Sequence, residues 1–338
     1  MKEVKFSNIA IVGATGMVGS MFLRLLEEQF FLDSKIHLLA SKRSVGKEIK
    51  FRSSTLVVEN LEEFDFSKAQ LALFSAGSEI SRIYAPKAVN CGCVVIDNSS
   101  EFRYLDEVPL IVPEVNSEVI EDFTHPGIIS NPNCSTIQMV VALKPIHDIY
   151  KIRRIDVTTM QAVSGTGQIA LTELKDQQKA VVEKKEIISN AYPYQITNNV
   201  LPHCGDFEDN RYTQEEMKMV RETQKILDGD IHLTPTCVRV PVYNGHSESI
   251  HIETKDNINE NDVIELLKNS PGIEVFFGQG VDDYPTPLIN ADGCNSVLVG
   301  RIRKDLWHDN RLSLWVVSDN LLKGAALNSL QIAKVLSS

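Results

Sequence analysis

The stretch Ile9-Ala10-Ile11-Val12-Gly13-Ala14-Thr15-Gly16-Met17-Val18-Gly19 decides the fold of this chain. Four apolar residues in succession are typical of a strand buried on both faces of a parallel sheet. Three glycines follow at GxxGxxG spacing, and an amphipathic pattern from Val18 to about Phe30 predicts a helix. Glycines such as Gly13 and Gly16 let the backbone turn tightly and approach a pyrophosphate, which then sits on the helix N-terminus. The stretch therefore predicts a dinucleotide site; the simpler interpretation is a turn that only packs helix against sheet.

Alternating strands and helices continue after this first unit. Further strands are predicted at Ile36–Ala40, Leu71–Phe74, Cys93–Asp97 and Leu110–Val112, with a helix over Glu79–Asn90. Repeated strand-helix units predict an α/β fold, a doubly wound Rossmann-like parallel sheet whose ligands lie at the carboxyl ends of the strands.

The end of the second strand bears on the choice of cofactor. NAD enzymes usually carry Asp or Glu there, which binds the ribose 2′-hydroxyl. Here the sequence is Ala40-Ser41-Lys42-Arg43-Ser44, with two bases and no acid. A 2′-phosphate would be favoured at such a site, so the sequence predicts NADP, against the alternative of a solvated charged loop.

A second decisive stretch is Ser130-Asn131-Pro132-Asn133-Cys134-Ser135-Thr136. Pro132 keeps the residue before it extended, and apolar residues from Ile137 onward fit a helix, so Cys134 is predicted at a strand-to-helix corner. Unpaired N–H groups and the partial positive charge of a helix N-terminus stabilise a thiolate. Cys134 is thus a candidate nucleophile, and the alternative is a buried structural cysteine.

The second half has strands without regular helical crossovers, which predicts a second α+β catalytic and dimerisation domain of mixed sheet. Its predicted strands are Ile152–Val163, Ile231–Pro241, Ser249–Thr254, Val297–Arg303 and Leu312–Val317. Its predicted helices run from Ile169 to about Glu186, from a capping box at Thr213 to about Leu227, and from Asp262 to Lys268. A final helix, capped by Ser318-Asp319, is predicted through Val335. We expect residues 1–133 plus 319–338 to form the NADP-binding domain and residues 134–318 the catalytic domain, with Cys134 at the hinge between them.

Composition excludes several classes of function. The chain has 338 residues and a formal net charge of −11, which argues against a nucleic-acid or anionic-membrane binder but not against an anionic substrate. Its six cysteines show no CxxC spacing, so no disulfide framework or metal site is expected. Residues 1–5 lack the apolar core of a signal peptide and no apolar run reaches membrane-spanning length, so a cytoplasmic location is expected.

A thiolate, a distant histidine and a nicotinamide site together suggest thioester chemistry. Thiolate attack on an acyl carbon gives a thioester, which accepts hydride and is reduced to the aldehyde level. His246 lies in the Asn244-Gly245-His246 turn and could move protons near neutral pH. A histidine in such a turn is otherwise a cap or a surface residue.

Five motifs in order resemble those of the aspartate-β-semialdehyde dehydrogenase family, and the resemblance runs nearly end to end. The motifs are Gly13-Ala14-Thr15-Gly16-Met17-Val18-Gly19, Asn98-Ser99-Ser100-Glu101-Phe102-Arg103, Asn131-Pro132-Asn133-Cys134-Ser135-Thr136, Gln161-Ala162-Val163-Ser164-Gly165, and Arg239-Val240-Pro241-Val242 followed by Gly245-His246. The resemblance implies reductive dephosphorylation of L-aspartyl-4-phosphate by NADPH to aspartate semialdehyde and phosphate. This reaction feeds lysine, methionine, threonine and isoleucine synthesis, and the family is typically a homodimer or homotetramer.

The resemblance also implies roles for individual residues. Cys134 would be the acyl-thioester nucleophile, His246 the acid/base, and Gln161 the residue that orients the substrate. Arg239 would grip the substrate α-carboxylate in a bidentate fork, and Glu215 would contact its amine. The implied phosphate-binding residues are Arg103 and Lys218. The implied NADP contacts are Gly13, Thr15, Gly16, Met17, Val18, Arg43, Ser44, Ser164, Gly165 and Asn320.

Three alternatives stand beside this interpretation. N-acetyl-γ-glutamyl-phosphate reductase shares the fold and the thioester route, but its cysteine motif normally reads Asn-Pro-Gly-Cys-Tyr, whereas Asn133 and Ser135 flank Cys134 here. Glyceraldehyde-3-phosphate dehydrogenase carries its histidine much closer in sequence to its cysteine. A non-catalytic relative would lose the nucleophile, and this chain keeps both Cys134 and His246.

Overall fold

The computed structural model describes residues 6–227, 229–277, 280 and 282–337. The first five residues, from which the lack of a signal peptide is inferred, lie outside this description. Within the described ranges, no helix is long and apolar enough to span a bilayer.

The chain forms thirteen strands and eight α-helices in the described residues. The strands are β1 Asn8–Val12, β2 Lys35–Ala40, β3 Glu48–Phe51, β4 Ser54–Asn60, β5 Leu71–Phe74, β6 Val94–Asp97, β7 Ile128–Ser130, β8 Ile152–Gln161, β9 His232–Arg239, β10 His246–Thr254, β11 Ile273–Val275, β12 Val297–Lys304 and β13 Arg311–Ser318. The helices are α1 Met17–Glu28, α2 Ser78–Asn90, α3 Pro113–Asn116, α4 Cys134–Tyr150, α5 Gln168–Glu183, α6 Gln214–Ile226, α7 Glu260–Lys268 and α8 Leu327–Leu336.

These elements form two compact units. One comprises Met1–Asn133 with Ala325–Ser338, and the other comprises Cys134–Gly324. The chain returns to the first unit at residue 325, six residues later than the boundary predicted from the sequence.

The first unit contains a seven-stranded sheet in the order β3-β4-β2-β1-β5-β6-β7. Every pairing in it is parallel except that of β3 with β4. The apolar run of β1 is buried because strands flank it on both sides and helices cover the sheet. The predicted doubly wound parallel sheet is confirmed, and its carboxyl edge carries the turns after β1, β5 and β6.

Helix α8 completes the first unit. It packs against α1, α3 and β6, although more than two hundred residues separate it from them in sequence. The Asn328 side chain donates hydrogen bonds to the Ile111 carbonyl at 3.0 Å and to Asn131 Oδ1 at 2.7 Å. The last helix therefore satisfies buried polar groups of the first 133 residues.

The prediction of a strand at Leu110–Val112 is wrong. Only Leu110 forms a bridge, to Ser130. The Asn116 side chain takes the neighbouring backbone groups: its Oδ1 accepts from the Val112 N–H at 2.9 Å and its Nδ2 donates to the Leu110 carbonyl at 2.9 Å. A side chain that satisfies these groups locally replaces the ladder that a strand would need.

The second unit contains a six-stranded sheet in the order β11-β12-β13-β10-β8-β9. The central pairs β12/β13, β13/β10 and β10/β8 are antiparallel, while β8/β9 and β11/β12 are parallel. This confirms the predicted mixed sheet. Helix α4 is buried along most of its length and contacts β8, β10, β12 and β13.

The segment before α8 differs from the predicted single helix. Ser318 is the last residue of β13, and a π-helical turn, Leu322–Ala326, precedes α8. Asp319 does act as a cap, because its Oδ1 accepts from the N–H groups of Leu321 at 2.8 Å and Leu322 at 3.0 Å. The sequence analysis did not predict the π-helical turn.

Candidate active site

Cys134 is the first residue of α4, as predicted, and its side chain is partly exposed. The first N–H groups of a helix have no partners in the helix, and together with the partial positive charge of the helix N-terminus they favour a thiolate at this position. Gly324 packs directly against this residue: a Cβ added to it would lie 2.8 Å from the Cys134 Cβ. The nucleophile candidate is therefore held from one side by a residue that has no room for a side chain.

His246 is the first residue of β10, rather than part of the preceding loop, and is fully buried. Its Nδ1 accepts a hydrogen bond from the Ala162 N–H at 3.0 Å. A backbone N–H can only donate, so the neutral ring must carry its proton on Nε2. Nε2 has no hydrogen-bond partner in the described part of the chain. The side chain thus presents an available N–H donor.

Burial keeps this imidazole neutral. Desolvation is the main reason that the pKa of His246 falls to about 3, and the positive charge of Arg239 acts in the same direction. Glu215 opposes the shift but is outweighed. At neutral pH the ring is therefore an uncharged hydrogen-bond donor.

Arg239 ends β9 and is almost completely buried. Its Nη1 donates to the Ala162 carbonyl at 2.8 Å, and its Nε has no partner within the described ranges. Ala162 therefore holds His246 through its N–H and Arg239 through its C=O. Gly165 lies against both side chains, since a Cβ there would be 2.9 Å from Arg239 Nη1 and 3.3 Å from His246 Nε2.

Gln161 connects the helix of Cys134 with α6. Its Nε2 donates to Ser135 Oγ at 2.7 Å and to Glu215 Oε1 at 3.1 Å. Glu215 Oε2 in turn pairs with Lys218 Nζ at 3.1 Å. Glu215 and Lys218 are neighbours because they lie three residues apart on α6, and the capping box predicted at Thr213 at the start of this helix is confirmed. With side chains only 12% and 27% exposed, this pair is more buried than an ordinary surface pair.

Ser164 and Asn320 also lie together in the second unit. The Asn320 Nδ2 donates to Ser164 Oγ at 2.9 Å, and Asn320 Oδ1 accepts from the Gly245 N–H at 2.9 Å. Most of the predicted site residues of the second unit therefore lie at the carboxyl ends of β8 and β9, at the start of β10, and near the starts of α4 and α6.

The first unit contains a cavity of about 330 Å³ at the carboxyl edge of its sheet. The residues that line it include Gly13, Thr15, Gly16, Ser41, Glu62 and Tyr84. Gly13 has φ +89°, and a Cβ there would lie 2.8 Å from the Ser75 carbonyl oxygen, so only glycine fits this turn. A glycine cradle at the start of α1 fits a dinucleotide pyrophosphate. Met17 and Val18 are the first two residues of α1.

Arg43 and Ser44 are the remaining predicted cofactor residues of the first unit, and they lie after β2 in a 3₁₀ turn, Lys42–Ser44. Ser44 Oγ lies 3.5 Å from Thr15 Oγ1, which links this turn to the glycine cradle. Arg43 is exposed to solvent. Nearby, Lys42 pairs with Glu62 at 3.2 Å, so the acid in the cavity wall is balanced by a base.

Arg103 belongs to the first unit, so the structure places it and Lys218 in different units. Its Nη2 donates to the Asn98 carbonyl at 2.8 Å, and the side chain is 5% exposed. The loop that carries it is held by Asp97, whose carboxylate accepts from Ser81 Oγ at 2.7 Å and Ser99 Oγ at 2.6 Å. Desolvation raises the pKa of Asp97 despite these hydrogen bonds.

Sequence reasoning missed Ser135, Ala162 and Gly324 as parts of the site. Ala162 acts through its backbone, which no side-chain pattern reveals. Ser135 was noted only as a neighbour of the cysteine. Among the described residues, no group of three or more His, Cys, Asp or Glu side chains is arranged to hold a metal ion.

Family profiles match both halves of the chain. Residues 8–123 match the family described as semialdehyde dehydrogenase, NAD binding domain, and residues 143–323 match semialdehyde dehydrogenase, dimerisation domain. The fold, the site and these two matches place the chain among the semialdehyde dehydrogenases, which are nicotinamide-dependent oxidoreductases.

Individual relatives narrow this class. The chain is 54% identical over 330 residues to aspartate-semialdehyde dehydrogenase of Legionella pneumophila, covering 97% of this chain and 95% of that one. It is 47% identical to the Bacillus subtilis aspartate-semialdehyde dehydrogenase over 338 aligned positions, with 97% of each chain covered. The crystal structure of aspartate semialdehyde dehydrogenase II complexed with ASA from Vibrio cholerae superposes with a TM-score of 0.95 at 49% identity, covering 98% of each chain. The chain belongs to the aspartate-semialdehyde dehydrogenase family.

This membership confirms the resemblance, the oxidoreductase class and the nicotinamide-binding first half that the sequence predicts. It favours the aspartyl substrate over the N-acetyl-γ-glutamyl alternative. A further relative in the family, from Candida albicans, was crystallised with NADP and superposes with a TM-score of 0.75 at 26% identity over 98% of each chain.

Proposed function

We propose that the chain catalyses the NADPH-dependent reductive dephosphorylation of L-aspartyl-4-phosphate to L-aspartate-4-semialdehyde and phosphate. The reaction would serve lysine, methionine, threonine and isoleucine biosynthesis in the cytoplasm. The observation that carries the proposal lies at the carboxyl end of β8. Gln161 there reaches Ser135 beside the nucleophile, and the next residue, Ala162, holds both His246 and Arg239.

The first step is acyl transfer to Cys134. The thiolate, stabilised at the start of α4, attacks the acyl carbon of the substrate and forms a C–S bond. The carbonyl oxygen becomes an oxyanion, which the Nε2–H of His246 stabilises by hydrogen bonding. The oxyanion then collapses, the C–O bond to the phosphoryl group breaks, and phosphate leaves a thioester on Cys134.

The second step reduces this thioester. A nicotinamide cofactor held by the glycine turn after β1 would supply the hydride that the thioester carbon accepts. The same carbonyl oxygen would again become an oxyanion, and the Nε2–H of His246 would again donate to it. Collapse of this oxyanion breaks the C–S bond, releases the aldehyde and restores the Cys134 thiolate. The tautomer of His246 therefore favours the donor part of its predicted acid/base role.

Substrate binding is proposed to use the charged groups around this centre. Arg239 keeps its Nε edge available for the α-carboxylate, because Nη1 is already bonded to Ala162. Glu215 would receive the substrate amine, and Gln161 would orient the acyl group. Lys218 and Arg103 would bind the phosphoryl group.

For the cofactor we propose NADP, bound by Gly13, Thr15, Gly16, Met17 and Val18 in the first unit. Arg43 and Ser44 would bind the 2′-phosphate, and Ser164, Gly165 and Asn320 would contact the nicotinamide side. The NADP-bound Candida albicans relative supports the choice. Exchange of Arg43 to Glu should raise the KM for NADPH more than the KM for NADH. Equal effects on the two KM values would show that Arg43 does not bind the 2′-phosphate.

The proposed assembly is a homodimer or homotetramer formed through the second unit. The match of residues 143–323 to a dimerisation domain supports it. Light scattering on the purified chain measures the assembly directly, and a monomer at micromolar concentration would contradict it.

The function itself is tested by phosphate-dependent reduction of NADP⁺ with aspartate semialdehyde, with N-acetylglutamate semialdehyde as the competing substrate. We expect turnover with the first substrate only, and near-complete loss with Cys134→Ala. Activity that survives Cys134→Ala would exclude the thioester route, and turnover of the N-acetylated substrate alone would exclude the proposed substrate.

A further inference from the structure

A carboxyl group lies buried beside the proposed catalytic residues without an assigned role. Glu248 is on β10, two residues after His246, and both side chains are fully buried. Because side chains alternate along a strand, both point to the same face, about 7 Å apart. In the pairing register, Glu248 lies opposite Thr159 on β8 and Val316 on β13.

The environment of this carboxyl favours its neutral form. Both oxygens are buried and lack a hydrogen-bond partner among the described residues. Burial therefore raises the pKa of Glu248 well above its usual 4.5, and the opposing effect comes from the side chain of Gln138. A neutral carboxylic acid carries one O–H donor, which a carboxylate lacks.

Gln138 connects this acid with the nucleophile. It lies four residues after Cys134 on α4, so both side chains belong to the same face of the helix. Its Nε2 lies 3.5 Å from the His246 carbonyl oxygen and donates to it. Its Oε1 has no partner within the described ranges, and it is therefore an acceptor suited to the O–H of a protonated Glu248.

We propose that Glu248 is a positioning residue: as a neutral acid it holds Gln138, and through Gln138 it fixes the helix turn of Cys134 against the strand end of His246. The inference rests on the roles proposed for Cys134 and His246. Glu248 itself contacts neither the substrate nor the reacting atoms in this arrangement. The competing explanation is a buried polar residue that affects only the stability of the sheet.

Four single variants and the double variant Glu248→Leu/Gln138→Leu separate the two explanations. Glu248→Gln keeps a donor and an acceptor, whereas Glu248→Leu and Gln138→Leu remove them at similar volume. Ile250→Val, on the same face of β10, is the matched control, because it removes one core methylene without touching the polar link. The measurements are kcat and KM in the aspartate semialdehyde assay, the melting temperature, and the rate at which iodoacetamide alkylates Cys134, followed by peptide mass spectrometry.

We expect Glu248→Leu to lower kcat about tenfold or more with little change in KM, since small displacements of reacting groups cost rate. Its melting temperature should not fall below that of Ile250→Val. Glu248→Gln should restore kcat to within about threefold of the parent. Gln138→Leu should match Glu248→Leu, and the double variant should lose no more than either alone, because residues that act as a unit are not additive.

A parental kcat in Glu248→Leu would overturn the proposal, as would losses that multiply in the double variant. Equal losses of kcat in Glu248→Gln and Glu248→Leu would overturn the claim that Glu248 acts as a neutral acid. The alkylation rate keeps this test separate from the proposed function. If the parent did not turn over aspartate semialdehyde, the function would fail, while altered Cys134 reactivity in Glu248→Leu and Gln138→Leu would still report the positioning.

Discussion

Exchange of Gly324 to Ala would place a methyl group against the nucleophile. The added Cβ would lie 2.8 Å from the Cys134 Cβ and 3.3 Å from its Cα. Carbon atoms in contact prefer separations of about 3.5–4.0 Å, so the two residues must separate by roughly 0.7 Å or more. Gly324 cannot move away freely, because its N–H donates to the Asp319 carbonyl at 3.0 Å within the π-helical turn. Most of the displacement should therefore fall on Cys134.

A shift approaching 1 Å at a reacting group costs about 10² in rate, so kcat should fall by about that factor with KM within a few-fold. Overpacking should cost about 1–3 kcal/mol in free energy of unfolding, measured by urea denaturation. The matched control is Gly229→Ala, whose added Cβ meets no atom within 4 Å. A parental kcat in Gly324→Ala, or equal losses in both variants, would refute the argument that this glycine sets the position of the sulfur.

Three further predictions concern the surrounding groups. Gly165→Ala should lower kcat/KM at least about tenfold, because the methyl group displaces Arg239 and His246; steady-state kinetics beside Gly229→Ala check this, and equal values would contradict it. The pKa of His246 is depressed to about 3, so the unfolded chain binds more protons below pH 6.5 and this contribution to stability is lost as pH falls from 6.5 towards 3. The free energy of unfolding should then drop by about 1.4 kcal/mol per pH unit from this group, and His246→Asn should remove that part of the pH dependence. Equal pH dependence in the parent and in His246→Asn would show that the ring takes up its proton as readily in the folded chain as in the unfolded one. For Glu248 the pKa is raised, so the folded chain binds more protons above pH 4.5 and stability falls as pH rises. Denaturation at pH 5 and pH 8 should show Glu248→Gln gaining stability over the parent at the higher pH, and a constant difference would contradict the buried neutral acid.

The corner at Cys134 could be predicted from the sequence because its signals are local. Pro132 restricts the residue before it, and the apolar pattern after Ser135 has the helical period. The capping box at Thr213 is equally local and was confirmed with both of its hydrogen bonds. The order of the motifs then identified the family, which local signals alone did not do.

The errors arose where distant or unusual contacts decide the structure. Strands β3 and β4 were missed because Arg52, at their turn, adopts φ +52°, a conformation for which glycine is the usual signal. The strand predicted at Leu110 was replaced by local hydrogen bonds from Asn116. The π-helical turn before α8 has no sequence period of its own, and such turns often occur at functional sites.

The candidate site likewise combines residues that the sequence predicted with contacts that it could not predict. Residue types and order predicted Cys134, Gln161, Arg239 and His246, and the structure brings these four side chains into one unit. It could not be predicted that a backbone group, that of Ala162, holds two of them, because a backbone contact leaves no trace in residue identity. The tautomer of His246 follows from that contact and was likewise inaccessible.

The position of α8 has a consequence for how the chain is made. A ribosome completes residues 134–324 before it delivers the helix that belongs with residues 1–133. Until α8 emerges, the Ile111 carbonyl and the Asn131 amide lack the donor that Asn328 later supplies. The unit whose synthesis begins first is therefore completed last, because residues 1–133 lack α8 until residues 134–324 have been made.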